Sequence, residues 1–408
     1  MNLYDDAKQI IQEAISAAKP DAATAKATAL LPEIKGRLIP VAIGKAAWQM
    51  AKSASDRLGK KLSPGIVITK HGHSAGDLPG FTVYEAGHPV PDADTYKATE
   101  AVLRLTSDLT ADDAVLFLVS GGGSALFEKP LVPPETIEKI TSHLLSSGAS
   151  IGEINAIRKR LSAVKGGKFA LHCAPARVFT VALSDVLGDR ADVIASGPSC
   201  PDPVYKEEVL AIAGEYNLPL DAQTRCLLET ETPKETPNAF MQIVGSVRQL
   251  CESAENTCLS LGYEPVILTD GLNIEAREAG KWLASLARTP VSVPTAYICG
   301  GETVVHVTGT GMGGRNQELA LSAAEVLSGL QNALLFSVGS DGTDGPTAAA
   351  GGIVDGTTAA KLASLGISIP DTLADNDAYH ALSAAGALLF TGPTGTNVND
   401  LSVLLVKP

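Results

Sequence analysis

The residues best suited to chemistry include a glycine-rich turn that ends in Arg315. Gly309, Gly311 and Gly314 match G-x-G-x-x-G, the fingerprint of dinucleotide-binding turns. An apolar run at residues 304–307 predicts a strand before the turn, and a helical pattern begins just after it. Strand, glycine turn and helix together form a phosphate site in open α/β sheets. The first interpretation is therefore a nucleotide-binding turn.

A second glycine loop follows the apolar run at residues 115–119. Because glycine has no Cβ, such a loop can direct several backbone N–H groups at one anion. A tight turn between a strand and a helix is the structural alternative. The members of this loop are Ser120, Gly121, Gly122, Gly123 and Ser124.

A third candidate group shares one face of a predicted helix and consists of Asn155, Arg158, Lys159, Ser162 and Lys165. A solvated basic face is the ordinary explanation of such a group. The chain as a whole carries a net charge of −13, however, so a cluster of cations is unexpected on its surface. We therefore predict that this helix faces an anion.

Acidic and histidine side chains after predicted strands complete the candidates. Asp185 and Asp189 suit Mg²⁺, which binds one or two carboxylates together with substrate phosphates. Asp341 and Asp344 form a competing pair, and either pair could instead cap a helix or close a turn. Neighbouring strand ends also carry histidines, which could hydrogen-bond a substrate, form a weakly indicated zinc site or serve the fold: His71, His73 and His88.

Composition excludes several function classes. An acidic chain does not provide the basic surface that nucleic acid requires. The N-terminus lacks the pattern of a signal peptide, and no apolar run approaches the ~18 residues of a membrane span. Six scattered cysteines without C-x-x-C spacing predict free thiols. We therefore expect a cytoplasmic enzyme that binds small molecules, with no nucleic-acid or membrane partner.

The elements that must position these residues form two series. In the first half, buried apolar runs end in the candidate loops, which predicts a doubly wound, mostly parallel sheet. A proline-rich stretch then places a domain boundary near residue 237, giving domains 1–237 and 238–408. The second series of predicted strands comprises residues 241–244, 265–268, 296–299, 333–338 and 401–406.

Taken together, these segments resemble one family, the class II glycerate kinases (glycerate 2-kinases), whose C-terminal half is called the MOFRL domain. The likeness covers nearly the whole chain in order and includes the Gly-His-Pro-Val-Pro-Asp segment at residues 87–92. The matching stretches are residues 42–46, 85–92, 119–126, 155–162, 165–167, 183–189, 195–198, 300–303, 313–318, 339–345 and 394–400.

The resemblance implies ATP- and Mg²⁺-dependent phosphorylation of D-glycerate to 2-phosphoglycerate. It also implies a Rossmann-like N-terminal domain facing a smaller α/β C-terminal domain across a cleft that holds the active site. Lys45 and Arg315 correspond to the family's central cations. Asp185 is expected to act as base or metal ligand and Asp189 as a second metal ligand. The expected substrate- and phosphate-binding residues are the glycine loop of residues 120–124 with His88, Asn155, Arg158, Lys165 and Asn316.

The rival interpretation is an NAD(P)-dependent hydroxypyruvate reductase, supported by the G-x-G-x-x-G match. Two features disfavour it. The motif lies deep in the second half of the chain, and Asp341, the first acidic residue after the next predicted strand, follows Gly314 by 27 positions. The dinucleotide fingerprint expects an acidic residue after about 20.

Overall fold

Two six-stranded sheets organise the chain. The computed structural model describes residues 2–184, 186 and 188–408. The first of its two units comprises Pro20–Val244, and the second combines residues 2–19 with Gly245–Pro408. This α/β architecture confirms the predicted fold class. Among the described residues, no helix is both long and apolar enough to cross a membrane.

The first sheet has the strands β1 (Leu38–Ile43), β2 (Gly65–Lys70), β3 (Phe81–Ala86), β4 (Ala114–Val119), β5 (Arg177–Leu183) and β6 (Ala239–Gly245). Their order is β3-β2-β1-β4-β5-β6, and β1 to β5 are parallel. β1 and β4 are buried along their whole lengths. Ile39 and Val41 pack into one apolar cluster and Leu38 and Ala42 into another, because successive side chains of a strand point to opposite faces. The continuous apolar runs therefore correspond to strands covered on both faces.

Helices occupy most of the connections between these strands. The helices up to the end of the first unit are α1 (Leu3–Ala17), α2 (Pro20–Thr28), α3 (Ala47–Leu58), α4 (Ala93–Leu105), α5 (Gly123–Leu126), α6 (Pro134–Ser146), α7 (Ile151–Arg160), α8 (Lys168–His172), α9 (Lys206–Glu215) and α10 (Ala222–Glu229). Short 3-10 helices cover Gly59–Lys61 and Ile194–Ser196.

The second sheet is mixed. Its strands are β7 (Glu264–Leu272), β8 (Thr295–Gly301), β9 (Ala333–Gly339), β10 (Gly351–Asp355), β11 (Leu388–Leu389) and β12 (Asp400–Val406). β7 and β8 are parallel, whereas β12 runs antiparallel to both β8 and β9. β10 is antiparallel to β9 and to β11. The helices of this unit are α11 (Val247–Ser260), α12 (Ala276–Ser285), α13 (Arg315–Leu327), α14 (Thr358–Ser364), α15 (Ile369–Ala374) and α16 (Ala378–Ala385), with a 3-10 helix at Leu286–Arg288.

Two assignments from the sequence are corrected. The strand predicted at residues 241–244 belongs to β6, which is hydrogen-bonded to β5 in the first sheet and does not start the second series. The strand predicted at residues 304–307 is absent: Val304 forms only an isolated bridge with Glu275, and Val307 is 72% exposed. Apolar residues there indicated a strand, but the described part of the chain forms no strand that pairs with them beyond this bridge.

Helix α1 also lies apart from its predicted domain. Ile10 and Ile11 are buried in a core formed by α11 and the second sheet. At the end of that core the Tyr263 hydroxyl donates to Asp6 Oδ2 over 2.6 Å, and Lys407 pairs with the same carboxylate at 3.1 Å. Apolar residues recur at helical spacing along α1, but this spacing carries no information on which core the helix covers.

This placement predicts the effect of Ile10→Ala. Removing a fully buried Ile side chain costs about 2–5 kcal/mol. Because Ile10 packs in the second unit, hydrogen exchange should accelerate in α11 and β12 and stay unchanged in β1 and β4. Leu30→Ala, at a position that is 68% exposed, is the matched control and should leave exchange unaltered. Faster exchange in β1 would contradict the assignment.

Candidate active site

The ends of β1 and β4 are joined directly beside Lys45. The Lys45 N–H donates to the Gly121 carbonyl over 2.9 Å, and the Ala46 N–H donates to Ser120 Oγ over 3.0 Å. Gly44 has a φ of 113°, and a Cβ there would lie 2.3 Å from Ser120 Oγ. The two strand ends can therefore approach only because residue 44 is glycine.

The loop at residues 120–124 leaves backbone donors free. The Gly123 N–H donates to the Ser120 carbonyl, but the N–H groups of Gly121, Gly122 and Ser124 have no acceptor among the described residues. Gly122 has a φ of 85°, a left-handed value typical of glycine. Neighbouring donors of this kind are able to bind one anion, and the anion site expected at this loop stays a prediction.

His88 and Lys45 flank this loop. A Cβ on Gly122 would lie 3.0 Å from the His88 ring and 3.3 Å from Lys45 Cγ, so neither side leaves room for a larger residue. Burial, with the charges of Lys45 and Lys70, lowers the pKa of His88, which favours the neutral ring. Lys45 has no carboxylate within ion-pair distance in the part of the chain that the structure describes. Its charge is therefore available to an anion.

Ser196 is a neighbour that the sequence did not single out as a site residue. Its hydroxyl lies 2.9 Å from Ser124 Oγ. Ala195 and Ser196 both have positive φ values, 51° and 62°, which cost energy for residues that carry a Cβ. The sequence pointed to this neighbourhood only through the matching stretch at residues 195–198.

Most of the predicted basic helix face is used inside the protein. Lys165 is fully buried, where its ammonium binds Glu128 and donates to the Phe127 carbonyl over 3.2 Å. Lys159 is also buried and pairs with Asp202 at 3.0 Å. The prediction that Lys165 binds phosphate therefore gains no support, because the charge of Lys165 is compensated in the core. Asn155 and Arg158 remain half-buried at the surface of α7.

The predicted metal ligands are placed only in part, since Asp185 lies outside the described residues. Asp189 has a φ of 51°, and its Oδ1 is shielded from solvent without a donor among the described residues. A shielded carboxylate oxygen without a donor fits a hard cation such as Mg²⁺. Asp192 is engaged elsewhere, by Arg190 at 2.9 Å and Lys159 at 3.6 Å.

Histidine 71 is engaged by an acidic partner. Its Nε2 lies 2.9 Å from Asp92 Oδ2, while His73 is exposed. Asp92 also accepts the Thr95 N–H over 2.9 Å and so caps α4. Since this carboxylate has a structural role, the predicted substrate role of His71 gains no support here.

The glycine turn before Arg315 binds the protein's own carboxylates and carbonyls. The N–H groups of Thr308 and Gly309 both donate to Asn376 Oδ1, over 2.8 and 2.9 Å. The Gly311 N–H donates to the Asp375 carbonyl, and the Met312 N–H to Asp377 Oδ1. These donors are not free for a pyrophosphate.

Close packing explains the glycines of that turn. A Cβ on Gly309 would lie 2.2 Å from the Asp375 carbonyl oxygen, and one on Gly311 would lie 2.4 Å from Asp377. The turn therefore lies flush against residues 375–377. Together with the missing strand at residues 304–307, this packing contradicts the dinucleotide interpretation of the motif.

Asp344 caps α13 from a distant loop. Its Oδ2 accepts the Gln317 N–H over 2.9 Å and its Oδ1 the Asn316 N–H over 3.2 Å. A Cβ on Gly314 would lie 2.3 Å from this carboxyl group. The Asn316 side chain is engaged by Asp344 and by Ser337 Oγ, so the structure does not present this predicted ligand-binding residue to a ligand.

Arg315 begins α13 and is held by two carboxylates. Asp400 accepts from Nε over 2.5 Å and from one terminal nitrogen over 3.0 Å, and Glu302 accepts from the other terminal nitrogen over 2.8 Å. Three of the five guanidinium N–H groups are thus used. One N–H on each terminal nitrogen has no acceptor among the described residues, which suffices for a two-point contact with a carboxylate or phosphate.

Burial lowers the pKa of Arg315, but the hydrogen bonds and charge of Asp400, reinforced by Glu302 and Asp344, outweigh it and raise that pKa. Arg315, Glu302 and Asp344 line a cavity of about 800 Å³ in the second unit. Glu302 and Asp400 were missed from the sequence, although both lie at strand ends where such sites form.

Known protein families and relatives match this chain along nearly its whole length. A family model described as a domain of unknown function (DUF4147) matches residues 6–229, and the MOFRL family model matches residues 295–400. A protein named D-glycerate 2-kinase from Thermotoga maritima is 51% identical over 407 residues, covering 98% of this chain and 97% of that protein. A glycerate kinase crystal structure from the same organism has a TM-score of 0.96 at 50% identity and covers 99% of each chain.

More distant relatives carry two kinds of name. A protein named glycerate 2-kinase from Pyrococcus horikoshii is 38% identical, covering 100% of this chain and 98% of that protein. A relative from Agrobacterium vitis named putative hydroxypyruvate reductase is 37% identical, covering 98% of this chain and 93% of that protein.

The grip of Asp400 on Arg315 predicts a stability effect. Asp400→Asn removes the charge but keeps the shape, and hydrogen bonds to charged groups contribute about 1.5–3 kcal/mol. Hydrogen exchange at the start of α13 should therefore accelerate by about ten- to a hundredfold. Glu325→Gln, at an exposed position of the same helix, is the control. Unchanged exchange in Asp400→Asn would show that the pair does not hold the helix.

The buried carboxyl of Asp344 predicts a pH effect. Burial outweighs the two helix N–H groups and raises its pKa from 3.8 to about 6. Since the folded form then binds the proton more tightly, this group makes unfolding progressively easier as the pH rises from 3.8 to 6. A ¹³C NMR titration of the Asp344 carboxyl, assigned by its absence in Asp344→Asn, measures the value. A midpoint near 3.8 would contradict the prediction.

Proposed function

This chain belongs to the glycerate 2-kinase family with a C-terminal MOFRL domain, and from that membership we propose that it transfers the terminal phosphoryl group of ATP to the 2-hydroxyl of D-glycerate. The observation that carries the proposal is that no described residue pairs with the Lys45 ammonium or accepts the N–H groups of Gly121, Gly122 and Ser124. In a chain of net charge −13, this arrangement favours a ligand that carries several negative charges.

Phosphoryl transfer depends on positioning and charge neutralisation more than on covalent chemistry. Lys45 would supply a point charge, and the loop at residues 120–124 would supply oriented dipoles to the phosphate oxygens. The two remaining N–H groups of Arg315 would hold the glycerate carboxylate or the transferring phosphoryl group. The His88 ring would orient a substrate hydroxyl, and either Asp185 or Asp189, between which the sequence does not decide, would accept the hydroxyl proton.

Mg²⁺ is the second expected requirement. The shielded Oδ1 of Asp189 fits it, and Asp185 is the partner ligand that the sequence proposes. The ion would supply positive charge to the phosphate oxygens of ATP. We propose these two carboxylates in preference to Asp341 and Asp344, because Asp344 already caps α13 and Asp341 accepts the Thr343 N–H over 2.9 Å.

The alternative is reduction of hydroxypyruvate by NAD(P)H. Its only sequence support was the turn at Gly309, Gly311 and Gly314. The N–H groups of that turn donate to residues 375–377, so they are not available to bind the pyrophosphate of a dinucleotide. We therefore propose the kinase for this chain.

The proposal is tested by incubating the protein with ATP, Mg²⁺ and D-glycerate and identifying the product by ³¹P NMR. We expect 2-phosphoglycerate and ADP. Loss of one oriented donor to a developing charge costs about 10²- to 10³-fold in kcat, so Lys45→Ala should lose at least that factor while remaining folded. Lys60→Ala, at an exposed lysine, is the control.

Oxidation of NADPH by hydroxypyruvate without ADP formation would overturn the proposal. The 3-phospho isomer would overturn its choice of hydroxyl. Full activity of Lys45→Ala would remove the assigned role of that lysine.

A further inference from the structure

A second cavity lies in the first unit and begins one residue after His88. Its volume is about 390 Å³, within the range of small-molecule pockets. The apolar part of its wall includes Pro89, Val90, Pro91, Pro134, Ile137 and Leu145, beside the aromatic ring of Tyr96. Val90 and Leu145 are 57% and 62% exposed, so part of this apolar surface faces water. We call this cavity the Pro89 pocket.

Glu128 contributes an unsatisfied acceptor to the Pro89 pocket. The residue is only 3% exposed, and its Oε2 binds the buried ammonium of Lys165. Its Oε1 is shielded from solvent and receives no hydrogen bond from any described residue. A shielded carboxylate oxygen without a donor loses its hydration energy without compensation. The site therefore lacks one hydrogen-bond donor.

Arg158 contributes the complementary unsatisfied donor. Its side chain is half-buried and lines the same pocket. Its Nε is shielded and has no acceptor, and the described residues place no carboxylate within ion-pair distance of the guanidinium. The nearby cations Lys159, Arg160 and Lys165 are each paired with a carboxylate, whereas no described residue compensates Arg158. The site therefore also lacks an acceptor.

We propose that the Pro89 pocket binds the adenine base of the nucleotide substrate; this inference rests on the proposed use of ATP. Adenine has two flat faces that would cover the apolar wall. The edge of its ring carries an amino group beside a ring nitrogen, so it offers one donor and one acceptor. The amino group would donate to Glu128 Oε1, and the ring nitrogen would accept from Arg158.

D-Glycerate fits the Pro89 pocket poorly. It has no apolar face to cover Val90 and Ile137, and its carboxylate would meet the negative charge of Glu128. A base in the pocket would also leave its phosphates near the free donors. Pro89 follows His88, whose ring lies against Gly122 beside Lys45. The chain thus connects the wall of the pocket directly to the histidine that borders the loop at residues 120–124.

The test is equilibrium binding of ADP, IDP and pyrophosphate to the full chain by calorimetry. IDP carries a carbonyl oxygen where ADP carries the amino group, so it would place an acceptor against Glu128 Oε1. Since hydrogen bonds to charged groups govern such discrimination, ADP should bind about ten- to a hundredfold more tightly than IDP. Equal binding of the two nucleotides would overturn the proposal.

Two variants localise the site. Thr141→Trp fills the pocket from α6 and should weaken ADP binding at least about tenfold, while pyrophosphate, which has no base, binds as before. Ser146→Trp, on the same helix but outside the pocket lining, is the matched control. Unchanged ADP affinity in Thr141→Trp would overturn the proposal. Glu128→Gln, if it folds, should abolish the preference for ADP over IDP.

These outcomes are separable from the proposed reaction, because binding requires no turnover. Selective ADP binding without phosphoglycerate formation would contradict the reaction and leave the pocket assignment in place. Phosphoglycerate formation with an ADP affinity unaffected by Thr141→Trp would support the reaction and contradict the pocket assignment.

Discussion

The carboxylate of Asp344 at the N-terminus of α13 determines how the second unit builds its candidate site. Both of its oxygens accept N–H groups of the first helical turn, which would otherwise lack partners. This contact requires Gly314 to have no side chain, since a Cβ there would overlap the carboxyl group. It also fixes the first turn of the helix, where Arg315 projects. The orientation of the arginine is therefore a consequence of a cap supplied from the loop after β9.

Lys45 and Arg315 carry the same charge but differ in their partners among the described residues. Arg315 is gripped by Asp400 and Glu302, so its direction is fixed and only two donors remain for a ligand. Lys45 has no such partner among the described residues, and its position depends on the backbone contacts of β1 with β4. A planar guanidinium can bind two carboxylates and still offer an edge, whereas an ammonium paired with a carboxylate would have little charge left to offer. The difference in setting follows from the chemistry of the two side chains.

The sequence predicted individual strands better than it predicted which strands pair and which side chains meet. Continuous apolar runs identified β1 and β4, because a strand covered on both faces needs no polar alternation. The same reasoning failed for residues 304–307, where hydrophobicity was present but a pairing strand was not. Glu302 and Asp400 could not be assigned to Arg315, because they meet only through the antiparallel register that pairs Asp400 with Gly301. Contacts of this kind depend on topology, which periodicity does not encode.

The basic segment of residues 158–168 shows how burial selects which charges remain for function. A buried cation is tolerated only when it is paired and hydrogen-bonded. Lys165 meets this condition through Glu128, and Lys159 through Asp202. Lys168 meets it by donating to three carbonyl groups, although burial still lowers its pKa to about 8. Arg158 is the member of the segment that no described residue compensates. The pair that fixes Lys165 also holds Glu128 in place, and the second oxygen of Glu128 receives no donor from the described residues. This acceptor and the uncompensated donor of Arg158 line the same pocket.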